Sequence, residues 1–408
     1  MIFRRITSIV LLLLLSGTML TGCWSRVELN ELAITSATSI DRDGDDWLVS
    51  FQVVIPSTIS SGIGITGGGG GSPVIVYSTK GKTIREANMH SVYESPRRLY
   101  FAHNRVIVIS EETARRGLNP VLEVYLRNPD ARETVDVLVT EGKSRKILEQ
   151  MMQIQRIPGD GIREINTIEA ENSSALPEVR MYELAMNLAS DSASALLPEI
   201  YLSGTKETSS LSAFENTTLP SKLRLGRAAV IKKDKMVGWL SRKDALGVAY
   251  IRDAVNKSLV TVACPDGSGK NSSISIGSSS TNQRPSLIDG NLKVKLEVKA
   301  RGTLVQSDCK SLDLYKTDVI QQMEKAAEKE IASCILSGWQ SLQKLKADAV
   351  GFAGLAHRTY RKEWQNWQKD WDAEFARIQI EPVISVTLAN VGLSNQSLNV
   401  DKLREGKK

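Results

Sequence analysis

The sequence predicts a mixed α/β chain of α+β character, divided into three domains that each pack helices on a sheet. Three observations carry this expectation. Strand-like and helix-like stretches alternate between residues 80 and 203. In Leu292-Lys293-Val294-Lys295-Leu296-Glu297-Val298-Lys299 every second residue is apolar, the period of a half-buried strand with one charged face. Two Ser-rich polar stretches, 203–221 and 265–289, separate these regions. The 408 residues are 41% hydrophobic and 24% charged, which supplies apolar side chains for several cores and excludes disorder along the whole length.

The N-terminus sets the expected compartment. Arg4 and Arg5 precede an apolar run from Ile6 to Leu15. This is the shape of a signal peptide, and it is shorter than the ~20 residues of a spanning helix. It ends in Leu20-Thr21-Gly22-Cys23. A bulky Leu, small residues and then Cys resemble the lipobox of bacterial lipoproteins, in which Leu20, Thr21 and Gly22 would present the backbone to a signal peptidase and the Cys23 thiol would accept diacylglycerol. The alternative is an uncleaved membrane anchor with an incidental Cys. Residues 1–22 are therefore read as a lipoprotein signal peptide. Cleavage leaves Cys23 carrying diacylglycerol and an N-acyl group, on the outer face of a membrane. A single chain at ~0.8 kcal/mol per buried CH₂ binds only marginally, so two or more are what lasting attachment needs. Removing Arg4 and Arg5 takes the formal net charge from +6 to +4. No Lys/Arg block remains to suggest a nucleic-acid partner.

Residues 24–203 read as an N-terminal mixed α/β domain. Stretches 33–40 and 47–55 form a hairpin around Asp41-Arg42-Asp43-Gly44-Asp45. Residues 83–94, 111–127, 144–153 and 178–190 read as helices, and 105–109 and 134–140 as short β-branched strands. Residues 204–221 are a linker. A small middle domain, 222–282, holds strand candidates at 225–231 and 237–240 and a short helix at 244–255. Ser273-Ile274-Ser275-Ile276 alternates like an edge strand. The C-terminal domain, 283–402, starts with the alternating strand and continues into a helix over 318–350. Trp364, Trp367 and Trp371 then form a helical stripe with Phe375, and 383–391 is a final strand. The stripe reads as core packing; an exposed carbohydrate platform or lipid-dipping face is its alternative.

Several motifs dissolve on inspection. Asp41, Asp43 and Asp45 suggest a calcium loop, yet Asp46 and Gln52 stand where an EF-hand needs Gly and Glu. Gly62-Ile63-Gly64-Ile65-Thr66-Gly67 matches a dinucleotide fingerprint but leads into more glycine and Pro73 rather than a helix. No nucleophile elbow, zinc-protease motif or Cys/His pair with an orienting acid is present, so no catalytic residues, metal ligands or soluble cofactor are expected. Cys264, Cys309 and Cys334 could include a disulfide in an extracytoplasmic protein or remain buried thiols.

Taken together, several segments resemble the Ger(x)C family, the lipoprotein C subunits of nutrient germinant receptors in endospore-forming bacteria. They are residues 20–32 (Leu20-Thr21-Gly22-Cys23-Trp24-Ser25-Arg26 onward), Ile40-Asp41 and the stretch to Pro56, and Ser95-Pro96-Arg97-Arg98-Leu99-Tyr100-Phe101-Ala102-His103. At the other end are Leu345-Lys346-Ala347-Asp348-Ala349-Val350-Gly351-Phe352 and the tryptophan stripe. The resemblance implies three α/β domains, attachment to the spore inner membrane and partnership with two integral membrane subunits, A and B. It implies no enzyme activity, and Cys23 carries over as the lipidated residue. The expectation is therefore a non-enzymatic, lipid-anchored subunit that supports receptor assembly. The competing reading is a lipid-anchored extracytoplasmic protein that captures a small solute or cell-wall glycan.

Overall fold

The computed structural model describes residues 2–19, 28–60, 71–128, 130–204, 209, 217–265, 267–309 and 316–390. Its strands form two sheets, each packed by helices. The first has nine strands: β1 (Leu32–Asp43), β2 (Asp46–Val54), β3 (Val74–Gly81), β4 (Arg98–Tyr100), β5 (Val106–Ser110), β6 (Asp136–Thr140), β7 (Ser194–Gly204), β8 (Ser221–Lys232) and β9 (Lys235–Leu240). Their order is β3-β2-β1-β5-β6-β7-β8-β9, with β4 beside the start of β1. The centre, β1-β5-β6-β7, is parallel, and antiparallel hairpins extend it at both ends.

Residue type explains that centre. Every residue of β5 and β6 is buried, as expected of parallel strands covered on both faces. Before them in the chain lie α1 (Ile2–Met19), α2 (Pro56–Ser60) and α3 (Ile84–His90). Then come α4 (Glu111–Arg116), α5 (Asn119–Arg127), α6 (Arg145–Glu149), α7 (Pro158–Asn172) and α8 (Met181–Ala189). Ile107, Ile109, Val137 and Val139 pack against α3, α4, α5 and α8. Val106, Val108 and Leu138 point the other way, onto α6 and α7. The expected helix over 111–127 is two helices, because Gly117 at φ +136° ends α4 and the Leu118 N–H turns away to the Asp234 carbonyl. Helix α7 has no counterpart in the sequence reading. The hairpin β1–β2 closes on Gly44-Asp45 with Gly44 at φ +63°. Asp41 is no calcium ligand: it is buried and accepts the backbone N–H groups of Ser144 and Arg145, at 2.9 and 3.2 Å, at the start of α6.

The second sheet runs β10 (Ser258–Ala263), β11 (Asn271–Ile288), β12 (Asn291–Ser307) and β13 (Gln379–Asn390). With it go α9 (Arg242–Ile251), α10 (Thr317–Leu345), α11 (Phe352–Thr359), α12 (Arg361–Trp367) and α13 (Trp371–Arg377). Leu292, Val294, Leu296, Val298 and Ala300 of β12 face the stripe Met323, Ala327, Ile331, Ile335 and Trp339 of α10. The opposite face carries Lys293, Lys295, Lys299 and Arg301 in the alternation expected from sequence. Along the outer edge, Glu328 and Glu324 of α10 accept the N–H groups of Val386 and Leu388, at 3.1 and 2.9 Å, and Pro382 offers no N–H.

Three expectations need correction. Residues 222–282 have no sheet of their own: β8 and β9 extend the first sheet, and β10 and β11 belong to the second. The polar stretch 265–289 is mostly β11, an interior strand rather than an edge, pairing with β10 on one side and β12 on the other. Its Ser and Asn side chains suit the solvent face, so polarity misread it as linker. The tryptophan segment is α12 and α13 joined by a 3-10 turn over Gln368–Asp370. Of the three cysteines whose state the sequence leaves open, Cys264 and Cys309 form a disulfide and Cys334 is a buried thiol. Trp364, Trp367 and Trp371 are only 6%, 9% and 9% exposed, so the stripe packs the core and is not a platform.

The two sheets share a continuous core. On β8, Ala228 and Val230 join the second lobe's cluster while Ala229 and Ile231 join the first's. Helices α9 and α10 meet through glycines: a Cβ on Gly247 would lie 1.9 Å from the Cys334 carbonyl oxygen, and one on Gly338 would lie 2.3 Å from that of Asp244. Gly247→Ala must therefore push the two backbones apart. The expected loss is at least the roughly 1–3 kcal/mol of an overpacked core, read as a lower urea midpoint. An unchanged midpoint would show that the helices are not locked at this contact.

Candidate functional site

Where the lobes meet, the segment after α10 turns sharply. Lys346 takes a left-handed conformation (φ +50°) and delivers Asp348 into the interior, 2% exposed. Its Oδ1 accepts the N–H groups of Gly351 and Phe352 at 2.9 and 3.0 Å, and its Oδ2 that of Ala353 at 2.7 Å. The carboxylate thus caps α11. Oδ2 also accepts the Ser192 hydroxyl at 2.8 Å and the Trp371 indole N–H at 3.1 Å. Burial holds the Asp348 carboxyl above the usual carboxylate range, against the downward pull of the Ala353 and Phe352 N–H groups, the Ser192 hydroxyl and the Trp371 indole. Outside this centre, Asp191 pairs with His357 at 2.8 Å and Lys232 with Asp372 at 2.6 Å. First-lobe residues 191, 192 and 232 are thereby fastened to α11–α13.

On the same junction opens a cavity of about 450 Å³. The end of α7, the following loop and α8 form one wall, and α9 with residues 252–256 forms the other. Leu176, Val179, Leu196 and Val248 make its apolar floor, and Arg252 lines it where α9 ends. Burial lowers the affinity of that guanidinium for its proton, and the charges of Asp348 and Glu183 oppose the effect from a distance. Two acids also line the cavity, but both have other donors. Glu183 accepts the Arg180 N–H at 2.9 Å and the Tyr182 hydroxyl at 3.0 Å, and Glu178 accepts the Thr167 hydroxyl at 3.1 Å.

Comparison with known proteins bears on both lobes. Residues 25–202 match the family described as "Spore germination protein N-terminal domain", and residues 226–392 match "Spore germination B3/ GerAC like, C-terminal". The chain belongs to the Ger(x)C family of spore germination proteins. It is similar to the "Putative spore germination protein YfkR" of Bacillus subtilis (strain 168), 27% identical over 95% of this chain and 97% of that one. It is also similar to the "Spore germination protein KC" of the same organism, 26% identical over 96% and 97%. The crystal structure of the GerBC protein shares the fold at a TM-score of 0.56 and 17% identity, over 86% of this chain and 97% of that one.

In this Ger(x)C chain the residues expected to carry function, Leu20, Thr21, Gly22 and Cys23, lie outside the described residues, as do residues 61–70 with the Gly62–Gly67 match. Helix α1 reaches Met19, and no helix among the described residues is long and apolar enough to cross a membrane. No cluster of three or more metal-ligating side chains occurs among the described residues. Nothing in the sequence marks Asp348 or the cavity as a site, although residues 345–352 are among the segments that carry the family resemblance. The strongest perturbed acid of the first lobe is Asp136, pushed up to about 6 by burial. It lies within the sheet, accepts one hydrogen bond from Asn166 at 3.2 Å and does not line the junction cavity.

Two outcomes follow from this geometry. Asp348→Ala strands the α11 N–H groups, the Ser192 hydroxyl and the Trp371 indole, and should cost at least about 3 kcal/mol. Urea unfolding followed by tryptophan fluorescence measures it, and a loss below about 1 kcal/mol would remove Asp348 from its structural role. For Asp136 the folded value lies above the ordinary 3.8, so its contribution to stability is fully present below that value and is lost as pH rises through about 6. The stability advantage of wild type over Asp136→Asn should shrink by up to roughly 3 kcal/mol between pH 4 and pH 7.5. A pH-independent difference would contradict the raised value.

Proposed function

We propose that this chain is the lipid-anchored, non-enzymatic C subunit of a nutrient germinant receptor, held on the outer face of the spore inner membrane. The single observation that carries the reading is the family match over both lobes, which begins at residue 25, directly after the lipobox Leu20-Thr21-Gly22-Cys23. Diacylglycerol and an N-acyl group on Cys23 would supply the attachment that no described helix can provide. Confinement to the membrane plane raises the effective concentration of both lobes near the integral A and B subunits, so the contribution is to receptor assembly. The other reading, capture of a small solute, is favoured by the cavity at the lobe junction. A glycan platform has lost its support, since the three tryptophans are packed in the core.

Cys23→Ala in the full-length protein tests the anchor. Labelling with radioactive palmitate should vanish, the protein should leave the membrane fraction, and nutrient-triggered germination should fall sharply. Persistent labelling would refute lipidation at Cys23, and normal germination by the unlabelled variant would refute the need for the anchor.

A further inference from the structure

We propose that Asp136 and Asn166 share a proton, as a carboxylic acid paired with a carboxamide, and that this proton latches α7 onto β6. The latch belongs to the first lobe and is independent of the anchor and of receptor assembly.

Two buried oxygens in one contact lack a donor. Asp136 opens β6 and is 0% exposed, and Asn166 lies on the buried face of α7, one turn beyond Ile162, at 1%. Asn166 Nδ2 donates to Asp136 Oδ2 at 3.2 Å. The other oxygens of the same two groups, Asp136 Oδ1 and Asn166 Oδ1, are both buried and neither has a hydrogen-bond partner. An ionised carboxylate only accepts, and so does an amide oxygen, so a charged Asp136 cannot satisfy Asn166 Oδ1. One proton on the carboxyl supplies the missing donor. Acid and amide then close a ring of two hydrogen bonds, O–H to the amide oxygen and N–H to the acid oxygen, and no orphan is left.

The charged neighbours supply no other partner. Arg163 of α7 and Arg180 before α8 favour the ionised carboxyl from a distance, and Glu178 disfavours it. Neither arginine forms an ion pair with Asp136 among the described residues. Arg105, whose carbonyl accepts the Asp136 backbone N–H at 3.0 Å, pairs instead with Asp160 of α7 at 3.1 Å. Burial prevails over the arginines and Asn166, so the carboxyl keeps its proton up to about pH 6.

Position gives the latch its effect. The first turn of α7 is held separately, by the Gly159 N–H on Gln52 Oε1 at 2.9 Å and by the Arg105–Asp160 pair. Asn166 holds the helix farther along, one turn before Ala170, which lines the junction cavity. Loss of the proton replaces a satisfied pair with a buried charge. Helix α7 is therefore tight against β6 in acid and loosens there as pH rises through about 6.

Infrared, resonance and exchange measurements on the full chain test the shared proton. Infrared difference spectra should contain a protonated-carboxyl C=O band that disappears with a midpoint near 6 and is absent from Asp136→Asn. The Asn166 side-chain amide resonances should move with the same midpoint, because their partner changes from acid to carboxylate. Hydrogen exchange of the α7 amides around Asn166, corrected for intrinsic rates, should give an opening constant at least about tenfold larger at pH 7.5 than at pH 4.5. Asp136→Asn keeps an N–H donor for the Asn166 oxygen at every pH, so its α7 protection should not vary with pH. Ionisation of Asp136 near the ordinary 3.8, an Asn166 amide that ignores the Asp136 titration, or α7 protection unchanged across it would each overturn the latch. Should Asp136→Asn fail to fold, the Asn166 titration and the α7 exchange of the unaltered protein still decide the matter.

Discussion

Asp348 accepts five hydrogen bonds from the protein interior, and its donors come from three separate parts of the chain. Gly351, Phe352 and Ala353 are the first turn of α11, Ser192 lies in the loop between α8 and β7, and Trp371 opens α13. A carboxylate taken out of water costs several kcal/mol, which only well-placed donors can offset. Its position is therefore tolerable only when all three elements are in place together. The left-handed Lys346 and Gly351 on either side let the chain dip inward and return. This one acid ties the tryptophan-bearing helices and the first-lobe loop to the segment that follows α10, beside the core that the two sheets share across β8.

Much of the fold was legible because its pattern is local. Residues 105–109 and 134–140 are β-branched runs, and they became β5 and β6 at the buried centre. The alternation in 292–299 gave both the strand β12 and its charged face. Helix α7 was not legible, since its buried positions are Pro158, Gly159, Gly161, Ile162 and Asn166, which form no apolar stripe. β11 was missed for a related reason. Its solvent face is Ser and Asn, and several inward positions are Thr281, Gln283 and Pro285, which meet backbone groups or the Tyr360 hydroxyl rather than a greasy core.

The junction itself was hidden for a different reason. Nothing in composition distinguishes Arg252 from other arginines, or Asp348 from other aspartates, because their character comes from neighbours far away in sequence. The Cys264–Cys309 pairing has the same origin: β10 and the end of β12, joined through β11, bring the two together. The proposed lipobox, Leu20-Thr21-Gly22-Cys23, is the opposite case, since that reading rests on contiguous residues. Contiguous patterns are read from the sequence, whereas the junction is read from the structure.

The partly covered outer edge of β13 has a consequence for self-association. An open strand edge is a template for indefinite self-pairing. Here Glu324 and Glu328 occupy the N–H groups of Leu388 and Val386, and Pro382 removes another donor farther along the edge. Self-pairing along that stretch of the strand then has fewer backbone donors to use. A partner that approaches there meets side chains, which can be selective, more than backbone, which every protein possesses.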